Sequence, residues 1–182
     1  EMPKIERPYL LVCSIPHYLH ADGSIWLDRL WHHDLAEHLT YLRDLTLLSP
    51  RLAWSAGGDL VRLDPPADAG FSVIPLPALD SLWQILRRLP SIVWTLWEAI
   101  GRAVIVQSGI AGWPIPIGWI ANPITLLRGR NLCLWLIGFH HIIVKPPSAI
   151  TNRAEKGYQK YSQQSLSDYR LFHFINGLVS VI

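Results

Sequence analysis

The sequence predicts an α/β fold in which a mostly parallel sheet has helices on both faces. Apolar runs of four to six residues alternate along the chain with longer segments whose apolar residues recur at helical spacing. Uninterrupted apolar runs are typical of parallel strands covered on both faces, and their alternation with helices is typical of βαβ units. With 182 residues, half of them hydrophobic, the chain is long enough to bury one substantial core.

Five apolar runs are the predicted strands, and breaker residues bound several of them. The runs are residues 9–14, 45–49, 71–76, 103–106 and 132–137. Pro50 follows the second run and Gly70 precedes the third. Residues 52–54 and 60–63 flank Gly57-Gly58-Asp59, which predicts a small hairpin.

Helices are predicted between these strands. The first begins at Ile25, with Ser24 or Asp22 as its N-cap, because an apolar stripe follows at helical spacing. Its members are Leu27, Leu30, Trp31, Leu35, Leu39 and Leu42. Further on, Asp80 would cap residues 81–89, Pro90 would start or kink residues 91–101, and residues 117–127 would form the last helix. With right-handed crossovers the fold would be Rossmann-like, although the GxGxxG fingerprint is absent.

Charge and cysteine content exclude several classes of function. Only 16% of the residues are charged and the formal charge is +2, so neither a disordered chain nor a nucleic-acid-binding protein is expected. Cys13 and Cys133 fall in predicted strands and are expected to be buried free thiols, which suits the reducing cytoplasm. The histidines lack zinc-ligand spacing and no Asp-x-Asp motif occurs, so we expect no metal and no cofactor.

Residues 103–127 contain no charge over 25 positions, which is long enough for a membrane span. Pro114, Pro116 and Pro123 interrupt them, and a broken helix would leave backbone groups unpaired in lipid. We therefore expect a strand, a loop and a short helix there.

The chain changes character after residue 137. Up to Arg130 it has ten Arg and one Lys, whereas from Asn131 it has two Arg and three Lys. We therefore divide it into a domain at residues 1–137 and an atypical tail at residues 138–182. The tail is either a polar helix with a terminal strand or, in a truncated or frameshifted chain, not the natural continuation of the domain.

Two stretches, HADGSIWLDRLWHHDLAEHLTYLRDLTLLSP and SGIAGWPIPIGWIANPITLLRGRNL, resemble the N-terminal half of group 1 bacterial glycosyltransferases of the GT-B fold. The resemblance covers about residues 9–134. It implies a Rossmann-like acceptor-side domain of an enzyme of polysaccharide or glycolipid assembly. A nucleotide-sugar donor would bind a C-terminal domain, and its hexosyl group would pass to a saccharide or lipid-linked acceptor.

The resemblance also implies which residues line the cleft. The six candidates are Asp22, Gly23, Ser24, Gln107, Ser108 and Gly109. The first three would follow the first strand beside a helix N-terminus, which favours anions such as a diphosphate. The last three would follow the fourth strand, and the carboxyl edge of a parallel sheet is where such folds bind ligands.

The chain departs from this family at two places. Relatives often have an acidic residue at the start of the fourth strand and a histidine near its end, where this chain has Ala103 and Gln107. An amide does not titrate, so no catalytic residue is assigned. Neither a second βαβ domain nor a late E-x7-E pair follows. We therefore expect an incomplete transferase, inactive alone. The alternative is a non-catalytic Rossmann-like binding module that contacts a membrane interface or a partner.

Residues 82–100 are nearly apolar and include Trp83, Trp94 and Trp97, with Arg87 and Arg88 among them. Packing of this segment against the sheet is one interpretation. Arg and Trp together also suit a membrane interface, where an amphipathic helix lies among the headgroups. The expected location is the cytoplasm, with peripheral contact at the inner face of the membrane under the second interpretation. A third interpretation is that a missing second domain leaves this apolar surface exposed.

Overall fold

The computed structural model describes residues 4–54, 59–78, 81–109, 116–136 and 140–144, which form an α/β fold. The elements in these ranges are, in chain order, β1 (Tyr9–Val12), β2 (His17–Leu19), β3 (Ile25–Asp28), α1 (Arg29–Tyr41), β4 (Asp44–Ala53), β5 (Leu60–Arg62), β6 (Gly70–Leu76), α2 (Leu82–Arg102), β7 (Ile105–Gly109), α3 (Gly118–Leu127), β8 (Asn131–Leu136) and β9 (His140–Val144).

The centre of the sheet is parallel, as the sequence predicts. Strands β6, β4, β1, β7 and β8 lie side by side in that order, and every neighbouring pair is parallel. After β1, the strands β4 and β6 are added on one side of it, whereas β7 and β8 are added on the other side. The strand order therefore reverses between β1 and β7. Val12 lies between Leu48 of β4 and Ser108 of β7. We call the edge formed by the carboxyl ends of β1 and β7, together with Leu48 and Ser49 of the longer β4 beside them, the carboxyl rim.

Each face of this sheet has its own hydrophobic core, because side chains alternate along the strands. Tyr9 and Leu11 of β1 pack in the core that α1 covers with Trp31 and Leu35. Leu10 and Val12 pack in the core covered by α2 and α3. Helices on both faces are therefore confirmed.

Strands β2, β3 and β5 extend the sheet in a way that the sequence pattern does not show. β2 runs beside β4 beyond the end of β1, with His17 opposite Arg51, and β3 pairs antiparallel with both β2 and β5. The predicted hairpin between residues 52–54 and 60–63 is wrong, because β5 pairs with β3 instead. Pro50 does not end β4; it has no N–H and lies where neither β1 nor β2 is beside it.

Two predicted helix starts also need correction. α1 begins at Arg29, four residues later than predicted, and Asp28 is its N-cap, with Oδ1 accepting from the Leu30 N–H at 3.0 Å. The segment Ile25–Asp28 is a strand, so neither Ser24 nor Asp22 caps the helix.

α2 is a single helix that continues through Pro90, and its N-cap is Ser81, whose Oγ accepts from the Gln84 N–H at 3.3 Å. The predicted cap Asp80 lies outside the described residues. The predicted helix at residues 117–127 is confirmed as α3.

A last strand, β9, lies within the predicted tail and pairs antiparallel with β8. The other residues of that tail, 138–139 and 145–182, lie outside the described ranges. Among the helices that the structure does describe, none combines the length and the apolar character that crossing a membrane requires.

Candidate functional site at the carboxyl rim

Buried polar side chains concentrate near the carboxyl rim. The described residues of this kind are His17, Ser49, Gln107, Ser108 and Thr125. All but Thr125 lie near the ends of β4 and β7 or at the start of β2. In parallel α/β sheets ligands bind outside the carboxyl ends, where the strand order reverses. The rim between β1 and β7 is therefore the candidate site.

Gln107, Ser108 and Gly109 do not follow the strand as predicted; they are its last three residues, because β7 spans Ile105–Gly109 and not residues 103–106. Two hydrogen bonds fix the side chains of Gln107 and Ser108. Gln107 Oε1 accepts from the hydroxyl of Tyr9, and burial raises the pKa of that phenol well above its usual value, which keeps it a donor. Ser108 Oγ donates to Asn122 Oδ1 of α3. Gln107 and Ser108 are 3% and 0% exposed, so the hydrogen bonds of the amide and of the hydroxyl lie inside the protein.

The start of α3 packs directly on the end of β7. A Cβ at Gly118 would lie 2.1 Å from the carbonyl oxygen of Gly109, so only glycine allows this approach. The N-cap residue Ile117 makes no side-chain capping bond. The first turn of α3 therefore lies at the rim beside Ser108 and Gly109.

The other predicted group, Asp22, Gly23 and Ser24, forms the turn between β2 and β3. Asp22 Oδ1 accepts from the N–H and the hydroxyl of Ser24 at 2.8 and 2.5 Å. These bonds, followed by the contact with His20, hold the pKa of the Asp22 carboxyl well below its usual range. Gly23 has a φ of +84°, a backbone conformation that residues with a side chain rarely adopt. The expected helix N-terminus beside this group is absent, since α1 starts at Arg29.

The structure does not bring the two predicted groups together. Val12, next to Ser108, lies opposite Leu48, whereas Leu19, before the turn, lies opposite Ala53. Five residues of strand separate these levels along β4, which is about 16 Å. The turn therefore lies beyond the rim, at the same end of the sheet but apart from Ser108.

One buried pair near the rim, His17 and Ser49, is not predicted from the sequence. His17 lies in β2 and its Nδ1 is 2.7 Å from Ser49 Oγ of β4. Burial, and then the charge of Arg51, lowers the pKa of His17 below its usual 6.5. A histidine at hydrogen-bond distance from a hydroxyl is the arrangement that activates a nucleophile, but Ser49 is completely buried and inaccessible to a substrate. The available signal was a serine at the end of an apolar run.

A separate cleft of about 390 Å³ lies between α1 and β5. Its walls are mainly apolar, and its polar lining consists of His32, Arg62 and Asp64, the last two paired at 2.9 Å. None of the six predicted site residues lines it.

The described residues thus define an α/β protein with a polar rim where its parallel strand order reverses. They contain no cluster of three or more His, Cys, Asp or Glu side chains placed to bind a metal ion. No family model, no curated protein and no solved structure matches the chain.

Proposed function

We propose that this chain is the Rossmann-like acceptor-side domain of a group 1 glycosyltransferase. The supporting observation is the reversal of the parallel strand order between β1 and β7, with polar residues at that point. In this proposal a nucleotide-sugar donor binds a C-terminal domain, and a hexosyl group passes to a saccharide or lipid-linked acceptor held at the rim.

The rim would bind the acceptor and stabilise charge without itself transferring protons. Ser108 and Gly109 lie beside the first turn of α3, whose backbone N–H groups favour anionic oxygens. Oriented dipoles of this kind stabilise a departing diphosphate in the transition state. Gln107 would position Tyr9 through their hydrogen bond, because an amide cannot act as an acid or base.

The turn of Asp22, Gly23 and Ser24 has a secondary role in this proposal. Its carboxylate is exposed and ionised, and it lies beyond the rim on the side from which an acceptor would approach. A long saccharide could reach both places.

The alternative is a non-catalytic Rossmann-like binding module. One observation favours it: the side chains of Gln107 and Ser108 are used in internal hydrogen bonds, and neither is an acid or a base near neutral pH. Under either proposal the protein would work in the cytoplasm. Cys13 and Cys133 are buried thiols that form no disulfide, and burial raises both pKa values to about 12, which makes them unreactive.

The test is an NMR titration of the isotopically labelled chain with octyl glucoside and octyl galactoside, soluble stand-ins for a lipid-linked sugar. Octyl glycerol, which has the alkyl chain without the sugar, is the control. We expect sugar-dependent shifts of the backbone amides of Ser108 and Gly109. Shifts confined to the cleft between α1 and β5, or equal with octyl glycerol, would contradict an acceptor site at the rim.

Catalysis needs a second measurement. The chain is mixed with a donor domain of a group 1 enzyme, supplied separately, and with UDP-glucose or GDP-mannose. Transfer of hexose to an octyl glycoside, dependent on this chain, is the expected result. Binding of the octyl glycosides without any transfer would favour the non-catalytic module.

A further inference from the structure

The outer surface of the α2 and α3 layer is largely apolar. Apart from Leu82 at the start of α2, the exposed apolar side chains are Trp83, Leu86, Pro90, Trp94 and Trp97 of α2 and Trp119, Pro123 and Leu127 of α3. We call this set the outer face. Four of its members, Trp83, Trp94, Trp119 and Leu127, are between 65% and 75% exposed, although side chains of this size are normally buried.

Helical geometry makes these side chains two continuous stripes. The exposed positions of α3 are Trp119, Pro123 and Leu127, spaced four residues apart, and none of them is polar. The five α2 positions fall within about 80° of one another around the helix axis.

The two stripes belong to one surface. α2 and α3 pack side by side on the same core. The guanidinium of Arg128, at the end of α3, lies 4.1 Å from the ring centroid of Trp97 on α2. The outer face is therefore a single patch that spans both helices.

Positive charge accompanies this patch. Residues 81–130, which include both helices, contain five Arg, one Glu and no Lys or Asp. That single acid, Glu98, is paired with Arg102 at 3.2 Å, whereas Arg87 and Arg88 are exposed near the start of α2. Residues 1–80, which include α1, contain eleven acidic and six basic residues. Residues 81–130, which carry the outer face, are therefore net positive, and residues 1–80 are net negative.

We propose that the outer face docks on the surface of an anionic phospholipid bilayer. Tryptophan favours the headgroup layer, where its ring is in an apolar setting and its N–H is hydrated. Arginines around an apolar stripe add attraction to anionic lipid, which a neutral surface would not provide. The helices would lie in the plane of the interface, and the carboxyl rim would remain open to water. This proposal does not depend on the proposed enzymatic function.

The test is sedimentation of the full chain with vesicles of phosphatidylcholine, alone or mixed with phosphatidylglycerol. We expect binding to the mixed vesicles, with a blue shift of tryptophan fluorescence, and weak binding to phosphatidylcholine alone. Replacing Trp94→Ser together with Trp119→Ser should weaken binding at least about tenfold. Reversing Arg87→Glu together with Arg88→Glu should weaken it at least about 30-fold and reduce its salt dependence.

Matched controls come from other parts of the molecule. Leu30 of α1 is 75% exposed on the opposite side of the sheet, so Leu30→Ser should leave vesicle binding unchanged. Arg43→Glu, between α1 and β4, controls for charge. Unfolding curves of all variants establish that each is folded. Three results would overturn the proposal: no binding to mixed vesicles, equal binding to both vesicle types, or variants of the outer face that bind like wild type. If the outer face instead mediated self-association or were covered by residues 145–182, the protein would not bind the mixed vesicles.

Discussion

Two glycines illustrate how one short contact can have different consequences. A Cβ added at Gly118 or at Gly101 would meet its nearest atom at 2.1 Å in both cases. At Gly118 that atom is the backbone oxygen of Gly109, which cannot move without displacing the end of β7. At Gly101 it is Nη1 of Arg128, the tip of a flexible side chain.

Gly118→Ala should therefore destabilise the protein by about 2 kcal/mol, the usual cost of overpacking a site that cannot relax. Gly101→Ala should change stability by less than about 1 kcal/mol, because the gain in helix propensity offsets the displaced arginine. Urea unfolding of both variants measures the difference. Equal losses would show that α3 does not lie against β7 as described.

His17 should make stability depend on pH. Burial first, and then the charge of Arg51, lowers its pKa below 6.5, so the folded state favours neutral imidazole. As pH falls below 6.5, the unfolded chain takes up the proton first and folding becomes less favourable. The contribution of His17 is thus complete above pH 6.5 and is lost toward acid pH.

Replacing His17→Asn should flatten this dependence. Between pH 7 and the folded-state pKa, the free energy of unfolding of wild type should fall by up to about 1.4 kcal/mol per pH unit more than that of the variant. Parallel urea titrations at several pH values provide the measurement. Identical slopes would mean that the imidazole is protonated equally in both states.

At the scale of elements, the sequence predicts the helices and strands whose local apolar pattern is enough to identify them. The five parallel strands are apolar runs long enough to be recognised, and α3 is found despite Pro123. β2 and β3 are missed because they are only three and four residues long and are stabilised by pairing with β4 and β5. Leu27 also fits the helical spacing of α1, although it belongs to a strand.

The same limit applies to the candidate site. The end of β7 is predicted at the rim because it follows directly from strand order. Its partners Tyr9 and Asn122, and the pair of His17 and Ser49, are joined only by the tertiary fold, since 98, 14 and 32 positions separate the partners. The sequence predicts a helix directly after the Asp22 turn, which is wrong because Ile25–Asp28 forms β3.

The corrected start of α1 leads to a prediction for this element. Asp28→Ala should cost about 1 kcal/mol and expose the N–H of Leu30, whereas Asp22→Ala should leave that N–H protected. Hydrogen exchange followed by NMR measures both. If the N–H of Leu30 exchanged faster only in Asp22→Ala, the N-cap of α1 would be Asp22 and not Asp28.

At the scale of the whole molecule, the sheet separates two surfaces with different properties. α1 and the strands that extend β4 belong to the acidic N-terminal part, whereas α2 and α3 present tryptophan and arginine. Between them lies the carboxyl rim, where β1 and β7 end beside Leu48 of β4. This arrangement leaves the rim accessible when the outer face is covered.

The proposed site requires β1 to lie between β4 and β7, because ligands bind at the carboxyl ends of a parallel sheet where the strand order reverses. Backbone nuclear Overhauser contacts of the labelled chain test this directly. We predict parallel contacts of Tyr9 with both Leu45 and Ile105, and of Val12 with both Leu48 and Ser108. Contacts of β1 with only one of these strands, or an antiparallel pattern with β7, would contradict the fold and the proposed site together.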